Sequence, residues 1–288
     1  MPRPVNPDAA PQPGALIAIG GAEDKTSRSA VLQRVMSLAS TDAVEVGVIT
    51  TASTVPDKVF AGYRQTFQDL GASRVHFLDV RSRTDAQDET KLATLQACGV
   101  IFISGGDQLR LTNVLGGSAM LDAIRARRAD GAVVAGTSAG AAAMSATMIY
   151  DGAAADALRK GAVKMSGGLG FVRGLVIDSH FLRRGRFTRL MEVGATNPEY
   201  VGVGLGEDAG VIIHPGPVLE AIGEGIVIIV DSSDLRHSNI AELEVGEPVA
   251  VEHVIVHALT HGYGYDVNPR AFLNPGTSYA QPSEADSA

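Results

Sequence analysis

Short apolar runs separated by helical patterns constrain this chain more than any other feature. ALIAIGG (15 to 21), VEVGVIT (44 to 50), RVHFLDV (74 to 80), VIFISGG (100 to 106), AVVAG (132 to 136) and LVID (175 to 178) are too short for helices and rich in β-branched residues. Between them, 26 to 40, 57 to 70, 86 to 97 and 118 to 129 carry amphipathic helical spacing. Strands that are apolar along their whole length must be covered on both faces. The alternation therefore predicts an α/β fold with a mainly parallel sheet sandwiched by helices.

Beyond residue 200 the strand-like runs crowd together (201 to 205, 209 to 214, 218 to 222, 225 to 230 and 251 to 259) and are broken by Gly and Pro. This spacing predicts C-terminal antiparallel hairpins on the edge of the same domain, which we place at 14 to 274. Residues 1 to 13 and 275 to 288 lack periodicity, and both are expected to be disordered tails. A net charge of -8 with no Lys/Arg run longer than two excludes nucleic acid and anionic membrane surfaces as partners. No stretch approaches the roughly 20 apolar residues of a membrane span. The single cysteine, Cys98, rules out an internal disulfide and fits a reducing, cytoplasmic setting; it reads as a small buried hydrophobe.

The sharpest local motif is Gly136-Thr137-Ser138-Ala139-Gly140, between the run AVVA and the Ala-rich AAAMSA. G-x-S-x-G at a strand-to-helix turn is a nucleophile elbow, in which small neighbours allow a tight turn that lifts the Ser hydroxyl above the sheet edge. A helix cap is the simpler use of such a serine. A serine nucleophile requires a base, and His180 closes LVIDSHF, beyond the carboxyl end of a strand. His253, His257 and His261 have an HxxxHxxxH spacing, but the segment is strand-like and lacks the Glu of HExxH, so no metal is expected. Gly105-Gly106-Asp107-Gln108 follows another apolar run and should reach the same edge. Gly106 could there supply an oxyanion donor beside Ala139, and Gln108 a substrate contact. Gly20-Gly21-Ala22-Glu23-Asp24-Lys25 lacks both the third glycine of G-x-G-x-x-G and P-loop spacing, so no nucleotide or other cofactor is expected. Arg183, Arg184, Arg186 and Arg189 form either a solvated helix face or a clamp for substrate carboxylates.

In this order, GGAEDK, GGDQ, GTSAGAAAMS and IDSHFLRRGRFTRL resemble the cyanophycinases, serine peptidases related to dipeptidase E, over about residues 14 to 270. The resemblance implies a flavodoxin-like sheet of the class I glutamine amidotransferase kind, with Ser in place of Cys. It also implies a homodimer and hydrolysis of cyanophycin, a poly-aspartate whose side chains carry arginine through isopeptide bonds, to β-aspartyl-arginine. By the same resemblance Ser138 is the nucleophile, His180 the base and Gln108 a substrate contact, while Asp178, Arg184, Arg186 and Arg189 fall on the pattern DQHFxxRxRxxRL. Ser179 stands where the family has Gln and is too short for the same hydrogen bond. The triad acid is expected in the Gly-rich loop after the elbow helix, at Asp156 in preference to Asp151. A peptidase of short isoaspartyl or α-aspartyl peptides and an α/β-hydrolase esterase are the alternatives; the 42 residues from Ser to His are few for the latter.

Overall fold

The computed structural model describes residues 12–26, 29–39, 43–156 and 158–277. Apart from residues 12–13 and 275–277, the two expected tails lie outside the described residues. The strands are β1 (Leu16–Ile19), β2 (Glu45–Ile49), β3 (Arg74–Leu78), β4 (Val100–Ile103), β5 (Val133–Thr137), β6 (Thr147–Asp151), β7 (Lys164–Gly167), β8 (Leu175–Asp178), β9 (Val201–Leu205), β10 (Ala209–His214), β11 (Val218–Gly223), β12 (Val227–Asp231), β13 (His237–Ser238), β14 (Val251–Glu252), β15 (Ile255–Leu259), β16 (Gly264–Asp266) and β17 (Ala271–Leu273). The helices are α1 (Ala30–Ser37), α2 (Pro56–Asp69), α3 (Glu89–Gln96), α4 (Gln108–Leu115), α5 (Ala119–Ala129), α6 (Ala139–Ala142) and α7 (Phe187–Thr196).

Among the described residues the central sheet has nine strands in the order β17-β16-β11-β10-β1-β5-β4-β2-β3. From β1 through β5, β4 and β2 to β3 every pairing is parallel; from β1 through β10, β11 and β16 to β17 every pairing is antiparallel. Successive residues of β1 face opposite layers. Leu16 and Ala18 join the core that contains Leu95, Leu111 and Ile124 of α3, α4 and α5, while Ile17 and Ile19 join Leu32 and Phe67 of α1 and α2. This two-sided burial is why the run reads as continuously apolar.

One expectation is corrected. The pattern predicts LVID as a strand of the parallel sheet, and 201 to 205, 225 to 230 and 251 to 259 as hairpin strands on its edge. Instead β8, β9, β12 and β15 form a separate four-stranded sheet in the order β15-β12-β9-β8, with β8 and β9 parallel. The parallel pair requires a crossover, and α7 supplies it by burying Leu190 and Val193 against Val176, Ile228 and Val230. Neither α7 nor the β6–β7 hairpin is among the elements that the apolar periodicity predicts.

The two sheets are tied by Asp231, a buried residue at the end of β12. Its carboxylate accepts the Tyr265 hydroxyl of β16 at 2.7 Å, the Ser233 N–H at 2.9 Å and an Arg270 guanidinium nitrogen at 2.9 Å. Burial opposes ionisation, but the Ser233 and Tyr265 hydrogen bonds and Arg270 outweigh it and hold Asp231 below the usual aspartate range. A depressed carboxyl stabilises the fold above its unfolded value, and that contribution is lost as pH falls through the folded value. Asp231→Asn should therefore cost about 2–3 kcal/mol at neutral pH. In urea melts the deficit should shrink once the pH passes below the ordinary aspartate value of about 3.9; a deficit independent of pH would remove the charge from the explanation.

Candidate active site

Ser138 sits between the end of β5 and the first residue of α6, with φ 52° and ψ −112°. Non-glycine residues avoid this region at a cost of about 1–3 kcal/mol, so the surroundings must enforce it. They do so through the Ser138 N–H, which donates to the Ile19 carbonyl at 2.9 Å. Gly140 helps by lying so close to the neighbouring strand that a Cβ there would stand 2.3 Å from the Ile103 carbonyl oxygen. Small residues at tight contacts thus allow this strand-to-helix turn.

His180 lies two residues beyond β8, also at positive φ (49°), with its N–H on the Gly20 carbonyl at 2.9 Å. Its Nε2 stands 3.2 Å from Ser138 Oγ, and its Nδ1 stands 2.9 Å from Glu207 Oε1. Gly21, at φ +97°, forms the floor under the ring; a Cβ at that position would come within 2.5 Å of Nε2. An ionised carboxylate can only accept, so the Nδ1 proton points to Glu207 and Nε2 is left to accept from the serine hydroxyl. The hydrogen bond from His180 keeps Glu207 ionised below the ordinary glutamate range, with Arg183 adding a second contact at 3.1 Å.

The carboxylate on His180 is therefore Glu207, not Asp156 or Asp151. Asp156 is exposed in the turn after β6, and the Asp151 carboxylate takes the neighbouring Gly152 N–H. Their loop is drawn to α7 instead, where Thr188 and Arg189 donate to the Ala154 and Gly152 carbonyls. Glu207 comes from the turn between β9 and β10, where the chain leaves the smaller sheet and enters the central one. The signal that could have found it was an acid after VGVGL, a strand followed by glycine like the other site loops.

The charged residues near the site are placed differently from expectation. Asp178 is buried and pairs with Arg186 at 2.8 Å and Arg189 at 3.1 Å; Arg186 also donates to the Ser179 carbonyl at 2.8 Å. The proposed anion and cation of a substrate pocket thus compensate each other inside the protein. Ser179 is buried, and the side chain of Arg184 is exposed without a partner among the described residues. Gln108 spends its amide Nε2 on the Ile149 and Tyr150 carbonyls at 3.1 and 3.2 Å. Arg183 touches the acid directly, a contact the motif pattern does not encode.

The loop after β4 brings Gly105 against Ser138, with the position of its missing Cβ 3.0 Å from Ser138 Cβ. The N–H groups of Gly106 and Ala139 make no hydrogen bond to the described residues and are free to donate to a ligand. Beside Ser138 opens a cleft of about 440 Å³, lined among others by Glu23, Lys25, Val59, Tyr63 and Thr137. Glu23 is buried there and accepts from Thr137 Oγ1 at 2.7 Å and from the Tyr63 hydroxyl. Burial first, and then Glu23, push the Tyr63 phenol well above its usual value, so it remains a donor. Cys98, buried and pushed up to about 12 mainly by desolvation, is chemically silent. His253 and His257 find separate company, on Asp234 and against Tyr265 and Phe272.

Comparison with known proteins places this geometry among peptidases. Residues 16–219 match the model of Peptidase family S51. A cyanophycinase of Trichormus variabilis is 34% identical over 260 residues, covering 90% of this chain and 87% of that protein. A cyanophycinase of Synechococcus elongatus is 36% identical over 255 residues, covering 88% and 79%. The crystal structure of a peptidase from an acI-B1 Actinobacterium superposes with a TM-score of 0.65 at 18% identity, over 89% of this chain and 98% of that one, a likeness of fold.

Two measurements test the Ser138–His180–Glu207 arrangement. Glu207→Gln offers an amide that can donate to Nδ1 and so favours the wrong tautomer; kcat should fall about a thousandfold or more, whereas Asp156→Asn should stay within about twofold. The reverse order would restore the loop acid. Because Glu207 is held ionised below the ordinary glutamate range, the acidic limb of log kcat/KM should approach a limiting slope of one, a single proton being taken up. A slope of two would mean that a second group is lost in the same range.

Proposed function

The chain belongs to peptidase family S51, and from that premise we propose that it hydrolyses cyanophycin through Ser138, His180 and Glu207, releasing β-aspartyl-arginine. The observation that carries the reading is the His180 ring standing between Ser138 Oγ and Glu207. Substrate class follows the cyanophycinase relatives, which match along most of their length.

In the proposed mechanism Ser138 Oγ attacks the aspartyl carbonyl while Nε2 of His180 takes its proton, and Glu207 stabilises the resulting imidazolium. The carbonyl oxygen, now an oxyanion, receives the free N–H groups of Gly106 and Ala139. Collapse breaks the C–N bond, His180 returns the proton to the departing amine, and an acyl group remains on Ser138. Water then attacks, giving its proton to His180, and the serine is regenerated. No cofactor enters these steps.

We read the parallel half of the sheet as the class I glutamine amidotransferase arrangement with serine in the cysteine position. The same reading makes the enzyme a homodimer, as the sequence resemblance implies, in the cytoplasmic setting that its single cysteine fits. Asp178, Arg186 and Arg189 enter it as the frame that fixes the His180 loop, through Arg186 on the Ser179 carbonyl, and not as a substrate pocket.

Incubation with insoluble cyanophycin should release soluble β-aspartyl-arginine, identified by mass. Ser138→Ala should lower kcat by at least about a thousandfold while leaving the melting temperature near wild type. Inertness towards the polymer with turnover of free isoaspartyl dipeptides would narrow the enzyme to short peptides. Turnover of esters alone would replace the peptidase reading by the esterase one.

A further inference from the structure

One face of α2 and its leading residue form the cleft wall beside Ser138: Val55, Lys58, Val59, Gly62 and Tyr63 stand at helical spacing i, i+3, i+4, i+7 and i+8. The wall is mainly apolar, and Val55 leaves 53% of its surface open. Lys25 approaches Tyr63 from β1's loop, held 3.4 Å from Glu23 and 4.7 Å from the Tyr63 ring centroid. Glu23 is the carboxylate of this cleft, but its side chain is 1% exposed and its oxygens are engaged by Thr137, Tyr63 and Lys25. Lys58 is exposed and has no partner among the described residues. A guanidinium entering the cleft would find no available anion; a carboxylate would find a free ammonium over an aliphatic floor.

Cyanophycin offers that combination. Arginine joined to the aspartyl side chain through its amine keeps its own carboxylate free, at the head of a three-methylene stem. We propose that Lys58, backed by Lys25, binds the free carboxylate of the side-chain-linked amino acid, whose stem lies on Val55, Val59 and Tyr63. The assignment rests on the cyanophycin reading and makes α2 the element that selects for the branch.

Gly62 supports the same geometry. A Cβ there would meet nothing within 4 Å, so the glycine serves no packing contact, and within a helix it weakens the element that carries it. Its absent side chain keeps the cleft open.

The test uses soluble oligomers of β-aspartyl-arginine, native or with the arginine carboxylates converted to methylamides, in steady-state assays. Lys58→Met should raise KM for the native oligomer about tenfold with kcat within about twofold, and should leave the amide oligomer unaffected. Wild type should itself show an about tenfold higher KM on the amide. Gly62→Met should raise KM for both oligomers without lowering the melting temperature. A wild type that cleaves neither oligomer overturns the cyanophycin reading and this assignment with it. A wild type that cleaves both, with Lys58→Met slowing both alike or neither, overturns the carboxylate assignment alone.

Discussion

Everything at the site depends on the last turn of backbone at the end of β1, where Ile19, Gly20 and Gly21 hold three separate segments by main-chain hydrogen bonds. The Ile19 carbonyl fixes the Ser138 N–H, the Gly20 carbonyl fixes the His180 N–H, and the Gly21 carbonyl takes the Asp208 N–H beside Glu207. Each of the three segments is thus hung from the same short stretch, at distances set by peptide geometry and not by flexible side chains. The approach is close enough that a Cβ on Gly20 would stand 1.9 Å from the Gly206 carbonyl oxygen. Backbone scaffolding of this kind explains how two left-handed residues, Ser138 and His180, are kept in conformations that the free chain would abandon.

The parts of the molecule that could be read from sequence are those in which local chemistry and global position agree. Strands β1, β2, β4 and β5 announce themselves because burial on both faces leaves almost no polar position. Ser138 does so because an elbow requires Gly and Ala at fixed offsets, and His180 because it follows an apolar run by two residues. Glu207 carried only the fainter mark of an acid after a strand and a glycine. Its partnership arises from the passage of the chain between sheets, and sequence spacing cannot reveal that β9 and β10 belong to different layers. The loop with Asp156 was chosen by the resemblance and by spacing, and neither carries that passage.

The Gly-Gly of GGAEDK shows the same limit from the other side. As a motif it invites comparison with phosphate loops and fails it, yet its two glycines are where Ser138, His180 and the Glu207 turn meet, and its Glu23 and Lys25 reach into the cleft. Charge pattern misled in a related way. Asp178 and Arg186 have the signs of a substrate clamp, but burial made them partners of each other, since a desolvated carboxylate takes the nearest guanidinium available. The cations left facing the cleft, Lys25 and Lys58, are far apart in sequence and adjoin no histidine.

Division of the segments bearing Ser138, His180 and Glu207 between two sheets also orders events during synthesis. Ser138 leaves the ribosome with the central parallel strands, and His180 follows with β8. The turn bearing Glu207 cannot be set until β10 has been made and has zipped against β1 through Leu16, Ile17, Ala18 and Ile19. Chains grow at about 5–20 residues per second, so for several seconds the nascent protein carries a serine and a histidine with no acid to orient them. The Ser138–His180–Glu207 array is therefore assembled only when β10 has paired with β1.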